Sequence, residues 1–261
     1  MKRLLLICLF PLCNFITFGQ TLAQNINNRL LQKDQLDKVF NLSLTEFDFS
    51  PLFMHTANSD IYGFIGDNYQ RIRIKFISIT KNLSAPGEYN VYGKSMVKSN
   101  ICDFKGTITI SSIKKYKAMS YGVDDTYKNK GIKGQYVIIG NYLFNENETQ
   151  AHSGVFKGSF QSNFYLDKNN KVRYDDIDLN ADGYANNQFI GQWASYKNNI
   201  VKKCNWGDFR IPNPGDLDIG AGEFSPNEKY LKYGWQNIHD IVIQNPKNEK
   251  AEQIETAKWW Q

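Results

Sequence analysis

Gln70-Arg71-Ile72-Arg73-Ile74-Lys75-Phe76-Ile77-Ser78-Ile79-Thr80 alternates polar and apolar side chains with a period of two. That is the spacing of a strand with one buried face, and the apolar members are β-branched or aromatic. Arg71, Arg73 and Lys75 fall on the face opposite Ile72, Ile74 and Phe76, as a solvated face would. Downstream, Ala85-Pro86-Gly87 is a turn signal. Tyr89–Val97 and Cys102–Ile110 read as further strands, and Gln135–Phe144 is a more continuous apolar one. Val155–Leu166 is a long strand, and Asp167-Lys168-Asn169-Asn170 makes a hairpin loop into Lys171–Ile177. Gln188–Tyr196 follows. Helical segments do not alternate with these strands, which argues against a parallel α/β sheet and for an antiparallel meander.

A glycine recurs close after an aromatic residue on these strands. Phe104-Lys105-Gly106-Thr107 and Phe156-Lys157-Gly158-Ser159 show it, and Tyr92-Gly93 and Phe189-Ile190-Gly191 are looser versions. Glycine weakens a strand, so repeated cases need a cause; sharp coiling of a closing sheet supplies one. The expected fold is therefore all-β: an antiparallel meander over 60–200 closing into a barrel-like fold, with a β-sandwich as the alternative. Residues 24–261 read as a single β-rich domain. Short helices are expected at its ends, over 24–45 and 246–260, and an irregular loop over 201–225.

Phe189-Ile190-Gly191-Gln192-Trp193 contains a G-x-W that resembles the glycine and tryptophan of lipocalins and avidins, the calycin barrels. Those families carry it near the start of the barrel, whereas here it follows most of the strands. Residues 24–261 as a whole resemble exported β-rich proteins of bacteria. Neither likeness carries a ligand over to this chain.

The first 23 residues differ from the rest. Lys2 and Arg3 precede a mostly apolar run from Leu4 to Phe18, and small residues follow at Thr17/Gly19 and Thr21/Ala23. The run is shorter than the roughly 20 residues of a bilayer span. It reads as a secretory signal peptide, which implies export to the periplasm or the medium and no transmembrane segment in the mature chain. Losing Lys2 and Arg3 lowers the formal charge from +5 to +3, too little for a nucleic-acid partner. The content of 17 Phe, 15 Tyr and 5 Trp excludes a disordered chain. Cys8 and Cys13 lie within the signal, and Cys102 and Cys204 remain. Two cysteines in an exported chain suggest one disulfide, with two separate buried thiols as the alternative.

Catalytic signatures are sparse. The sequence lacks a G-x-S-x-G elbow, an H-E-x-x-H and a P-loop, and its three histidines, His55, His152 and His239, are far apart. The strongest local pattern is Asp178-Leu179-Asn180-Ala181-Asp182-Gly183-Tyr184-Ala185-Asn186. It resembles the calcium loop of EF-hands and dockerins, with Asp178, Asn180, Asp182 and Asn186 at oxygen-bearing positions and glycine at the sixth. Its twelfth position is Phe189 instead of an acid, and its flanks read as strands. A polar Asx-rich turn is the alternative. The stretch from Cys204 to Asp218 is rich in Gly, Pro and Asp, and Trp206, Asp208 and Arg210 are candidates for a ligand mouth, together with Trp193. The other reading is a structural lid, with Trp206 plugging one barrel end and Arg210 pairing with an aspartate. Asp208, Asp216, Asp218 and Glu223 offer carboxylates for a glycosidase pair, without a spacing that selects two. The functional expectation is an exported, non-enzymatic binding protein whose partner is a small molecule, a glycan or an envelope protein. A carbohydrate-active hydrolase and a structural envelope protein are the alternatives, and calcium is the one cofactor suggested.

Overall fold

The computed structural model describes residues 36–39, 43–243 and 248–261. Ten strands occur among them: β1 Leu36–Val39, β2 Ile61–Ile65, β3 Gln70–Lys81, β4 Glu88–Val97, β5 Asn100–Tyr116, β6 Gly134–Glu146, β7 Gly154–Leu166, β8 Val172–Tyr174, β9 Asn186–Ser195 and β10 Val201–Asp208. Every pairing is antiparallel. Eight strands close into a ring in the order β2–β3–β4–β5–β6–β7–β9–β10, and β10 returns to β2 through Cys204↔Ile65 and Asp208↔Ile61. The expected meander is thus a closed up-and-down barrel. Strand β8 folds back on the end of β7, and β1 pairs with the far end of β5, so both lie off the ring.

Alternation places every second residue inside. Phe76, Phe104, Phe144, Phe156, Phe160 and Phe189 meet at the waist around Trp206, which is 2% exposed. The Phe189 and Trp206 rings stack with centroids 4.8 Å apart. An eight-stranded ring is about wide enough for side chains alone, and here aromatics fill it. The recurrent glycines explain how. A Cβ on Gly93 would lie 2.4 Å from the Phe104 ring, and one on Gly140 would lie 2.5 Å from Phe160. Gly158 leaves the same kind of room beside the Tyr142 hydroxyl. Each of these glycines faces its aromatic directly across a strand pair, Gly93↔Phe104, Gly140↔Phe160 and Gly158↔Tyr142. Aromatic side chains and neighbouring backbone occupy the space that a Cβ would need, so the glycines serve packing as well as curvature.

One end of the barrel is plugged. The short helix α1 (Ser50–Phe53) and Phe49 before it bury Phe49, Leu52 and Phe53 in the core. Phe49 packs edge-on against Phe164 at 5.3 Å and Phe53 against Phe160 at 5.4 Å. The Asn187 amide donates to the Leu52 carbonyl at 2.8 Å, tying the plug to β9. A second core lies outside the ring, where Phe64 of β2 meets Ile211, Leu217, Phe224, Trp235 and Ile238 from the chain after β10. Two helices finish the chain, α2 (Gln236–Ile243) and α3 (Glu249–Thr256). The buried Glu255 of α3 binds Arg71 at 2.5 Å and Arg73 at 2.7 Å on the outer face of β3.

Several expectations are corrected. The irregular loop over 201–225 begins as strand β10, because Cys204, Trp206 and Asp208 alternate inward and complete the ring. The segment after it, 209–225, is irregular, and its Ile211, Leu217 and Phe224 cover the outer face of β2. Within the expected N-terminal helix over 24–45, Leu36–Val39 is a strand. The rest of that stretch up to residue 35, the signal peptide over 1–23 and the suggested helix start at Pro246 lie outside the described residues. The C-terminal helix is shorter than 246–260, and α2 precedes it. The Cys102–Cys204 disulfide is not formed: both thiols are free and buried, on β5 and β10, which are four places apart on the ring.

Candidate functional site

The unplugged end is the more informative one. It is bounded by the β2–β3, β4–β5, β6–β7 and β9–β10 connections and opens on a pocket of about 660 Å3. Its apolar wall is Ile65, Val97, Phe156, Trp193 and Ile200. The exposed Lys98, Lys197 and Lys202 stand around it. Lys202 Nζ lies 6.0 Å from the centroid of the Trp193 ring, within cation–π range.

Glu146 lies at the floor of this mouth and is only 5% exposed. It is the last residue of β6, and alternation from Tyr142 and Phe144 turns it inward. Its carboxylate gathers three strands around β6. The Ser95 hydroxyl of β4 donates to Oε1. The Gly154 N–H of β7 and the Trp193 indole N–H of β9 both donate to Oε2 at 2.8 Å. All three donors are neutral, and no cation pairs with it among the described residues. Burial pushes its carboxyl above the usual range, against the pull of those donors.

The closed end holds a second buried acid. Asp208 Oδ2 accepts from Thr56 Oγ1 at 2.7 Å, Tyr174 OH at 2.8 Å and Asn187 Nδ2 at 2.7 Å. Desolvation raises its carboxyl to about 7, although the three donors pull the other way. The His55 ring stacks on Tyr174 at 4.3 Å. This cluster clamps the plug to β8, β9 and β10.

The four ligand candidates from the sequence do not meet. Trp193 lines the mouth, Trp206 fills the waist and Asp208 sits beneath the plug. Arg210 lies outside the ring and pairs with Asp218 at 2.8 Å, while it also donates to the Gly220, Ala221 and Gly222 carbonyls. The lid reading thus describes Arg210, but Trp206 is core and not an end plug. Three of the four carboxylates offered for hydrolysis are likewise employed separately, Asp208 in the plug clamp, Asp218 with Arg210, and Asp216 with Lys229 and Tyr230, while Glu223 is exposed.

In the calcium-like loop, Asp178 accepts from Ser120 Oγ at 2.6 Å. Asn186 is buried and accepts from the Asn163 and Asn187 N–H groups at 2.7 Å each. Ala181 N–H donates to the Asp178 carbonyl at 2.8 Å, and Gly183 takes a φ of 76°. These are the bonds of a polar turn, and they leave Asn180 and Asp182 as the outward oxygens. No group of three or more His, Cys, Asp or Glu side chains suited to a metal is found among the described residues. Beside this loop a cleft of about 600 Å3 has a mixed lining that includes Tyr116, Met119, Gln135, Asn163, Asp175 and Asp178.

Glu146 was missed by sequence reading. The signal was present, since Tyr142, Phe144 and Glu146 continue one period-two face of a strand already recognised. Comparison with family models, curated proteins and solved structures gives no match.

Proposed function

We propose that this chain is an exported, non-enzymatic binding protein that receives a small molecule at the open mouth of its barrel. The observation that carries the proposal is the difference between the two ends. Helix α1 closes one, and the other keeps an apolar-walled pocket of about 660 Å3 over Trp193 and Glu146. A concave site with apolar walls and a few convergent polar groups is the usual form of a small-molecule site. Ligand burial inside the waist has no support, because aromatic side chains fill that space. Export rests on the leader over residues 1–23. The lipocalin and avidin likeness is kept at the level of the barrel.

A structural or surface-interaction role in the envelope is the second reading, and the filled waist favours it. The hydrolase reading loses its support with the separate engagement of Asp208, Asp216 and Asp218. Native mass spectrometry of the protein exported by its own host separates the first two. The binding reading expects a retained organic mass that disappears when Val97→Trp fills the mouth. A bare polypeptide mass from the unsubstituted protein contradicts it and favours the structural role.

A further inference from the structure

We propose that the mouth selects a dipolar molecule, with an ammonium end lowered onto Glu146 and an anionic end held by Lys98, Lys197 and Lys202. The inference rests on the mouth being the binding site and adds the class of ligand.

The floor of the pocket is acidic and its rim is basic. A carboxylate offers about four acceptor positions, and Glu146 uses three of them on the Ser95 hydroxyl, the Gly154 N–H and the Trp193 indole. The fourth position, on Oε1, has no donor among the described hydrogen bonds. A buried carboxylate with neutral donors only is poorly compensated. An ammonium group would supply both the missing donor and the missing charge, and it would reverse the upward push that burial exerts on this carboxyl.

The rim has the opposite lack. Lys98 stands in the β4–β5 turn, Lys197 in the β9–β10 turn and Lys202 on β10, and none of them is in an ion pair among the described residues. Between floor and rim lie Val97, Phe156 and Trp193, which suit an apolar or aromatic spacer. A simple organic anion satisfies the rim but leaves Glu146 as it was. A simple amine satisfies the floor but must enter past three lysines. A molecule with both charges, separated by an apolar body, matches both ends of the pocket.

The test is calorimetric titration near neutral pH and at low ionic strength with probes that share one ring. The dipolar probe is 4-(aminomethyl)benzoate; its comparators are 4-methylbenzoate, 4-methylbenzylamine and 4-methylbenzyl alcohol. The dipolar probe is expected to bind at least about tenfold more tightly than any comparator, the scale of one charge-assisted hydrogen bond. Glu146→Gln should remove its advantage over 4-methylbenzoate. The triple Lys98→Gln, Lys197→Gln, Lys202→Gln variant should remove its advantage over 4-methylbenzylamine; these exposed positions keep the test valid if Glu146→Gln fails to fold. Equal binding of the dipolar probe and 4-methylbenzoate or the alcohol overturns the dipolar class and leaves the mouth reading standing. Absence of binding by all the probes also overturns the dipolar class. The mouth reading falls with it only if the native protein carries no retained mass.

Discussion

The indole N–H of Trp193 donates to Glu146 Oε2 at 2.8 Å although β9 and β6 are not neighbours in the ring. Strand β7 lies between them, and the indole crosses it at Gly154. A Cβ there would stand 2.7 Å from Trp193 Cε2 and 2.2 Å from the Ala194 carbonyl. The bare backbone of Gly154 therefore lets a tryptophan reach over one strand to a carboxylate on the next, while the Gly154 N–H joins the same oxygen. Gly154→Ala is expected to destabilise the fold by about 1–3 kcal/mol, the usual scale of overpacking. An unchanged melt would contradict the arrangement.

The plug clamp predicts a pH dependence. In the fold, Asp208 holds its proton to about pH 7, whereas an unfolded aspartate loses it near pH 4. Burial is the main cause. The native state thus binds more protons than the unfolded state between those values, so stability falls as pH rises through that window. Asp175, raised to about 6 mainly by burial, acts in the same direction. Asp208→Asn keeps an oxygen for the Thr56, Tyr174 and Asn187 donors and removes the titration. Its denaturation midpoint should vary less between pH 4 and 7 than that of the unsubstituted protein. Parallel profiles for the two proteins would count against a buried neutral Asp208.

Glu255 shows the opposite electrostatic design. Burial alone would raise its carboxyl, but the Arg71 hydrogen bonds and the charges of Arg71 and Arg73 outweigh that and hold it below the usual value. Its contribution to stability is present above the unfolded value and is lost as pH falls through the lower folded one. Glu255→Ala leaves the two guanidiniums without their anion, and a loss of about 3–5 kcal/mol is expected. The readout is urea unfolding with α3 monitored by proteolysis. A loss below about 1 kcal/mol, the scale of a surface pair, would contradict the buried geometry.

The thiols give a chemical check on the barrel. Burial pushes Cys102 up to about 11, and Cys204 also well above its ordinary value. A thiol-reactive dye should therefore label neither in the native protein and both in the unfolded, unreduced protein. Failure to label the unfolded chain would mean a disulfide and would require β5 and β10 to sit differently in the ring.

Strand content and closure were legible because the apolar faces of 70–80, 89–97 and 155–166 repeat with period two and because glycines recur beside aromatics. The closing strand was not. Asn205 and Gly207 lie on its outer face, where an exposed strand should be plainly polar, yet the chain from 209 onward covers them: Asn205 Nδ2 donates to the Pro212 carbonyl at 2.9 Å, and Gly207 packs under Gln188 and Arg210. Two-sided burial removed the alternation that marked the other strands. Trp193 was recognised for its ring, but its partner Glu146 was passed over as the end of a strand, since the contact spans 47 residues of sequence and depends on ring closure. The cysteine pairing failed for the reverse reason. Two cysteines in a chain expected to be exported suggest a bond, and only the topology shows the two residues on strands far apart in the ring.

The central claim is that ligand enters at the mouth and not at the waist, and two indoles report on the two places. Trp193 Nε1 is bonded to Glu146 at the mouth, whereas Trp206 Nε1 is buried in the waist without a hydrogen-bond partner. The direct measurement is a 15N-correlated NMR titration of the assigned indole resonances, first with 4-(aminomethyl)benzoate and then with a small-molecule extract of the host cells. The mouth account predicts a saturable shift of the Trp193 resonance while Trp206 stays in place. A shift of Trp206 ahead of Trp193, or no shift of either with both additions, would contradict it.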